Sequence, residues 1–435
     1  MKQHFKCGFG REIITPPLGT ALFGYPQVRY AECVHDDLYA SAFAFESEGV
    51  KAVMISLDIC VIGFDEADVL KQLISEKTGI SPDNVIISAI HTHSGPCTRN
   101  SVGWGDKNTE YIDSILYPGV KKAASAAVEN MRDAVMGVGT TESLVGINRR
   151  QITIDGDVIL GQNPFGVFSK EMTVICFRDL SGNGIGCMVH YGAHCTASGA
   201  NKEITRDWAG GMCDTLEAEA GMPVAFFAAQ TGDTGPRISN GKTTGNIKYA
   251  EQLGSLAGLD ATRAYKSIKE YHEPSLSISL EKIAIPYDPL MPYEEAKAKL
   301  MAIGDTEGLV GRPKKAAAKY RAVMDIYEKN LPHENALEYD ATFISFGNVA
   351  FVSFPFEVFS EIAIRIANHS PFTHTLTLNN TNGSLAYFPT KSEMPRGGYE
   401  VFMFQHFNTY VPIQDADTVA VKQYVNGLER LKNKT

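Results

Sequence analysis

No stretch of the 435-residue chain approaches the ~18 uninterrupted apolar residues of a membrane-spanning helix. It also lacks a basic amphipathic segment or apolar anchor for a membrane surface. Positive charge is in deficit. Forty Lys and Arg face 50 Asp and Glu, a formal charge of −10, which argues against a nucleic-acid binder, because such proteins present a basic face. There is no internal repeat and no low-complexity tract, so solenoids and disordered tails are excluded. The first residues, MKQHFKC, lack the apolar core of a secretory signal, and a cytoplasmic location is expected. The cysteines (Cys7, Cys33, Cys60, Cys97, Cys176, Cys187, Cys195 and Cys213) form no CxxC pair, and several lie in apolar runs. Buried free thiols are expected, rather than disulfides or a thiolate zinc site.

What is present is an ordinary globular composition, 44% hydrophobic and 21% charged, in a chain long enough to bury a large core. Strands are expected from Gly8 into Pro16-Pro17, over 42–45 and 52–58, over 84–90, and at 172–177, 185–191, 224–229 and 275–285. A hairpin is expected at 339–346 and 349–354 around Gly347-Asn348. Helices are expected over 65–79, over 111–135 with an interruption at Pro118, and over 207–220, 247–271, 293–303, 312–329 and 357–366. Strands and helices alternate throughout. This predicts an α/β fold of mixed β-sheets flanked by helices.

Four stretches could carry chemistry. His91-Thr92-His93-Ser94-Gly95-Pro96 follows a buried β-branched run. If the backbone stays extended, His91 and His93 point to one side at a strand end. Neutral imidazoles there suit zinc, or a hydrogen-bonded turn. His194 lies four residues after His190, but the segment reads as strand and HExxH is absent, so His190 reads as a core or supporting histidine. Asp207 opens a helix, where an N-cap would suffice to explain it. Gln230 to Pro236 leaves a buried strand as a tight polar loop. Just beyond, Asn240-Gly241-Lys242-Thr243 resembles the end of a phosphate-binding loop, but Pro236 stands where its first glycine belongs, so nucleotide binding is rejected. Glu357 stands at an expected helix start, a position that favours carboxylates without any metal. Tyr387 and Tyr399 lie on loops, where tyrosines commonly pack.

Taken in order, these segments resemble the catalytic domain of the neutral/alkaline (non-lysosomal) ceramidase family. The resemblance runs from about Gly8 to Tyr399: GFGREIITPP with Phe23-Gly24-Tyr25, IHTHSGP, Asn148-Arg149 with Asn163-Pro164, AHCT, ITRDWAGGM, QTGDTGPR, FPFEVFSE and NGSLAYFPTKSEMPRGGYE. It implies one large catalytic domain over 1–435, with residues 275–340 as a candidate sub-lobe; the C-terminal immunoglobulin-like domain that the family's ceramidases carry is not expected in this chain. It implies a Zn2+ held by His91, His194, Glu357 and Tyr387. His93, Arg149 and Tyr399 would line the reaction centre, and Asp207 would orient a ligand histidine from behind.

The implied activity is hydrolysis of an amide bond, or alternatively an ester, by a metal-activated water. Gly235 stands where the family's ceramidases carry a serine at the scissile amide. With the expected location, this points to a small soluble N-acyl substrate rather than ceramide. The alternatives are a true ceramidase and a non-catalytic zinc-binding or sensor protein. A serine hydrolase built on Ser94 is a weaker reading, because no base and acid partner are identifiable.

Overall fold

The structure is a computed structural model, and it describes residues 4–434. Met1–Gln3, which carry part of the N-terminal reading, lie outside the described residues. An eight-stranded mixed sheet runs in the order Val224–Ala228, Gly184–Tyr191, Glu171–Asp179, Arg132–Glu142, Lys6–Ile13, Tyr39–Ser47, Val50–Leu57, Val85–Ala89. Its two outer pairs, Gly184–Tyr191 with Val224–Ala228 and Val50–Leu57 with Val85–Ala89, are parallel, and the pairs between them are antiparallel. The sheet curls until its outer strands approach, and the Ser56 hydroxyl donates to the Phe226 carbonyl across the gap.

Each face of this sheet has its own cover. The convex face packs small and branched residues, among them Ala40, Ala42, Val53 and Ile55, under helices Phe64–Thr78 and Tyr117–Glu129. Gly8 and Gly10 let the second helix come close: a Cβ on Gly10 would sit 2.2 Å from the Ala123 carbonyl oxygen. The other half of that face is covered by Asp207–Ala220 and Ile247–Lys266. The concave face is aromatic, and Phe43, Phe45, Phe177 and Phe227 meet Phe346, Phe351 and Leu376 of a second sheet. That sheet runs Leu276–Pro286, Ala336–Phe346, Val349–Ser353, His374–Leu378, and helices Ser360–His369 and Ala416–Lys432 close its far side. The layers are therefore helix, sheet, sheet, helix, as amphipathic elements of this number require.

Three expectations are corrected. Arg132–Glu142 is a strand, not the tail of a helix: it pairs with Glu171–Asp179 along its length, and this pairing overrides local propensity. Pro118 does not interrupt the preceding helix. It sits in the first turn of Tyr117–Glu129, after a wide-turn segment Ile112–Leu116 that absorbs the missing donor. Cys176 and Cys187 are not free thiols but a disulfide, because the hairpin register places them directly opposite, with Cα atoms 4.2 Å apart. No helix of the described residues is long and apolar enough to cross a membrane.

Candidate active site

The site lies where parallel strands of the large sheet end, the usual location for ligands in open α/β sheets. Val85–Ala89 runs into His91, and Gly184–Tyr191 runs into His194. A single parallel bridge, Thr92 to Cys195, ties the two loops together. His91 is not extended. Its backbone takes φ +70°, in the left-handed region, and its N–H donates to the Ile59 carbonyl at 3.0 Å. The two imidazoles thus converge through a strained turn rather than through strand alternation.

Glu357 does not open a helix. It lies in a two-residue strand, Glu357–Val358, paired in parallel with Tyr387–Phe388, so Glu357 and Tyr387 are register partners. Its N–H donates to the Ala386 carbonyl at 2.9 Å, and the helix starts later, at Ser360. A tertiary pairing has displaced the expected cap.

These segments bring His91, His194 and Glu357 together. His91 Nε2 is 3.1 Å from His194 Nε2, and Glu357 Oε2 is 3.2 Å and 3.0 Å from those two nitrogens. Glu357 Oε2 is buried, yet it is in hydrogen-bond geometry with neither. The Tyr387 hydroxyl lies 3.5 Å from His194 Nε2. Each imidazole is oriented from behind by a carbonyl: His91 Nδ1 donates to Cys60 O at 2.9 Å and His194 Nδ1 to Thr234 O at 3.2 Å. Both Nε2 atoms are therefore turned inward. The Asn380 side-chain amide also lies 3.2 Å from His91 Nδ1.

A tetrahedral zinc with bonds of about 2.0–2.1 Å holds its ligand atoms about 3.3 Å apart. The triangle of donors matches that spacing, and the unpartnered carboxylate oxygen completes it, so the residues present fit a metal ion.

Charge states follow from burial and contact. Burial pushes the His91 imidazole down, but the Glu357 carboxylate beside it wins and holds it up. Burial alone would raise Glu357, and His91 instead holds it well below the carboxylate range. His194 is pushed down to about 3 by burial and then by Arg149. His93 is held well below its ordinary value by burial and by the two neighbouring imidazoles. Burial, then the Glu357 carboxylate, keeps the Tyr387 phenol protonated.

The remaining expected residues fall around this centre. His93 Nε2 faces His91 Nε2 at 3.3 Å, and its buried Nδ1 has no partner. The Arg149 guanidinium lies over the Tyr387 ring at 5.1 Å and donates from Nη1 to His194 Nε2 at 2.9 Å, while its buried Nη2 is unpartnered. Tyr399 packs edge-on against Tyr387, with ring centroids 5.5 Å apart.

Two expected residues act elsewhere. Asp207 reaches neither imidazole. Its carboxylate accepts from the N–H groups of Ala197, Ser198 and Trp208, and Trp208 Nε1 in turn donates to the His194 carbonyl. It shapes the backbone after His194, and the carbonyls of Cys60 and Thr234 take the orienting role. Gly235 lies in the short strand Thr234–Pro236, pointing at Thr243 and Arg149 Cβ, and does not line the pocket beside His91. Ser94 contacts Ser198 and Asn201 rather than a histidine, so the serine-nucleophile reading fails.

Glu400 was not expected. It is a fully buried carboxylate that accepts from Arg149 Nε at 2.8 Å and Arg150 Nη1 at 2.6 Å. Its only sequence signal is its place directly after Tyr399.

Fold and site define a four-layer α/β protein with a buried His–His–carboxylate–phenol centre. Comparison with known proteins makes this specific. Residues 5–255 match the family model described as neutral/alkaline non-lysosomal ceramidase, N-terminal, and the chain belongs to that family. It is 28% identical to neutral ceramidase of Drosophila melanogaster over 55% of this chain and 37% of that protein. It is 31% identical to neutral ceramidase A of Dictyostelium discoideum over 44% of this chain and 29% of that protein. The matches thus span about a third of the length of these relatives. The fold matches the neutral ceramidase structure from Pseudomonas aeruginosa with a TM-score of 0.76 at 19% identity, covering 99% of this chain and 75% of that one.

Proposed function

We propose that this chain is a metal-dependent hydrolase of an amide bond, or alternatively an ester. His91, His194, Glu357 and Tyr387 would hold a Zn2+, and a zinc ion there supplies an acidified water and a polarised carbonyl. The observation that carries this reading is the convergence of three donor atoms 3.0–3.2 Å apart on one buried point, with Glu357 Oε2 otherwise unpartnered. Around it, His93 is placed to accept a proton from the attacking water and return it to the leaving amine. Arg149, with its free Nη2, and Tyr399 are placed to donate to the developing oxyanion. Glu400 holds the Arg149 guanidinium in that position. A sensor that merely stored metal would not need this proton carrier and these donors.

The pocket beside the cluster is about 50 Å³, and Phe23, Val61, Trp104, Leu385 and Met403 are among its walls. That size supports a substrate with a short arm, a small N-acyl compound rather than ceramide. The names of the relatives favour ceramide itself as a second reading. The test is metal analysis joined to a panel of N-acyl amides graded by chain length. We expect about one zinc per chain, lost in His91→Ala and His194→Ala together with turnover. A metal-free native protein would sink the reading. Activity that peaks on a ceramide in detergent would restore the lipid.

A further inference from the structure

One wall of the pocket is cationic, and the carboxylate that acts on it, Glu357, is the one a metal would engage. Arg99 lines the pocket together with His91, His93 and Glu357. Its Nη1 donates to the Ser384 carbonyl, but its buried Nε has no partner. Lys315, half-buried on helix Gly311–Glu328 and behind the pocket wall rather than in it, feels the like charge of Arg99. No carboxylate among the described residues forms an ion pair with either side chain. The helix is anchored at this rim: the Gly311 N–H donates to Gly103 O at 2.8 Å, and the adjoining Ser101 and Trp104 are pocket walls. Arg312, Lys315 and Lys319 fall on one face at helical spacing. Arg312 lies over the Phe402 ring, and Lys319 donates to Gln405 O, so this face overlies helix Tyr399–Gln405, whose Tyr399 and Met403 also line the pocket.

Such an arrangement is costly when empty. Burial, and then the like charge of Arg99, hold the Lys315 ammonium down to about 8. Solvated surface lysines do not behave this way. An anionic oxygen group between the two cations would remove the repulsion and satisfy Arg99 Nε.

We propose that Arg99 and Lys315 form an anion-recognition subsite, so that the arm of the substrate entering this pocket carries a carboxylate or similar anionic group. This deepens the hydrolase reading above and rests on it. The carboxylate could belong to the amine released, as in an N-acyl amino acid, or to a dicarboxylic acyl group. The recognising chemistry is the same.

Matched pairs of probes test this. N-hexanoylglycine is compared with N-hexanoylethanolamine, and succinyl-propylamide with butyryl-propylamide. The pair that discriminates tells which side of the amide bears the anion. Binding of the non-hydrolysable N-hexylsulfonylglycine and N-hexylsulfonylethanolamine is measured by calorimetry on the same protein.

We expect kcat/KM to favour the anionic member of at least one pair by about tenfold or more, as charge-assisted hydrogen bonds do. Lys315→Gln should shrink that ratio by a similar factor, in turnover and in sulfonamide binding alike. This variant relieves a repulsion, so folding is not at risk, whereas Arg99 also satisfies the 384–385 carbonyls. Equal handling of both members everywhere would overturn the subsite and leave the hydrolase reading standing. Discrimination in binding without hydrolysis of any probe would support the subsite and sink the hydrolase reading. A preference unmoved by Lys315→Gln would overturn the assignment to these residues.

Discussion

At the scale of single residues, the proposed mechanism divides the site into groups that would hold a metal and groups that would act on the substrate. His93→Ala is expected to keep its metal yet lose roughly 10²–10⁴-fold in kcat, the range for a general acid–base group. A metal-free His93 variant would show that the division is wrong. Gly24 offers an indirect version of the same test. It takes φ +106°, and a Cβ there would sit 2.5 Å from the His93 ring. Gly24→Ala should therefore displace His93, with full metal content and reduced turnover. His91 shows what the site demands of its backbone, since a histidine at φ +70° stores strain that glycine does not. Neither His91→Gly nor His91→Ala should bind metal through this position. The glycine variant should nonetheless be the more stable, by about 1 kcal/mol in denaturant unfolding. Equal midpoints would mean that the turn is not strained.

At the scale of elements, His190 joins the two sheets. Its strand belongs to the large sheet, and its Nε2 donates to Thr377 O of the second sheet at 2.8 Å. Burial lowers its pKa from 6.5 to about 4. The fold thus favours the neutral ring. The stability this confers is complete above about pH 6.5 and is lost as pH falls toward 4, by roughly 3 kcal/mol for this one group. His190→Gln, whose amide can still donate to Thr377 O, should flatten the decline of unfolding free energy across that window. Superimposable pH profiles would refute it.

Elements of this kind were unevenly legible in the sequence. The hairpin at Gly347-Asn348 and the turn between 179 and 184 announce themselves by local chemistry. Arg132–Glu142 does not. Its glycines and threonines carry no strong pattern, and only its pairing partners make it a strand. The disulfide needed the cross-strand register, which cysteine spacing does not reveal. Glu357 illustrates the same limit within the site. A proline and a carboxylate before an apolar run look like a helix start, while the backbone N–H is in fact engaged by Ala386. Motif order pointed to the side chains that converge. The groups that support them, the Cys60 and Thr234 carbonyls and Glu400, left almost no trace, because a carbonyl has no residue identity and a lone glutamate has many roles.

At the scale of the whole molecule, the donor atoms come from loops after both outer parallel pairs of the large sheet and from the separate two-stranded pair Glu357–Val358 with Tyr387–Phe388. A ligand that binds only this assembled arrangement stabilises the whole fold by mass action. Chelation should therefore lower the melting temperature of the protein by several degrees, and added zinc should restore it. A melting temperature indifferent to chelator would contradict the four-residue site. The bridges Thr92 to Cys195 and Glu357 to Tyr387 give this a meaning in time. A chain still being synthesised, or one folded only in its first sheet, offers two imidazoles and no carboxylate at the right distance. The complete centre exists only once the last loop has docked, so metal held there would report that assembly has finished, and a half-folded chain would hold none at this centre.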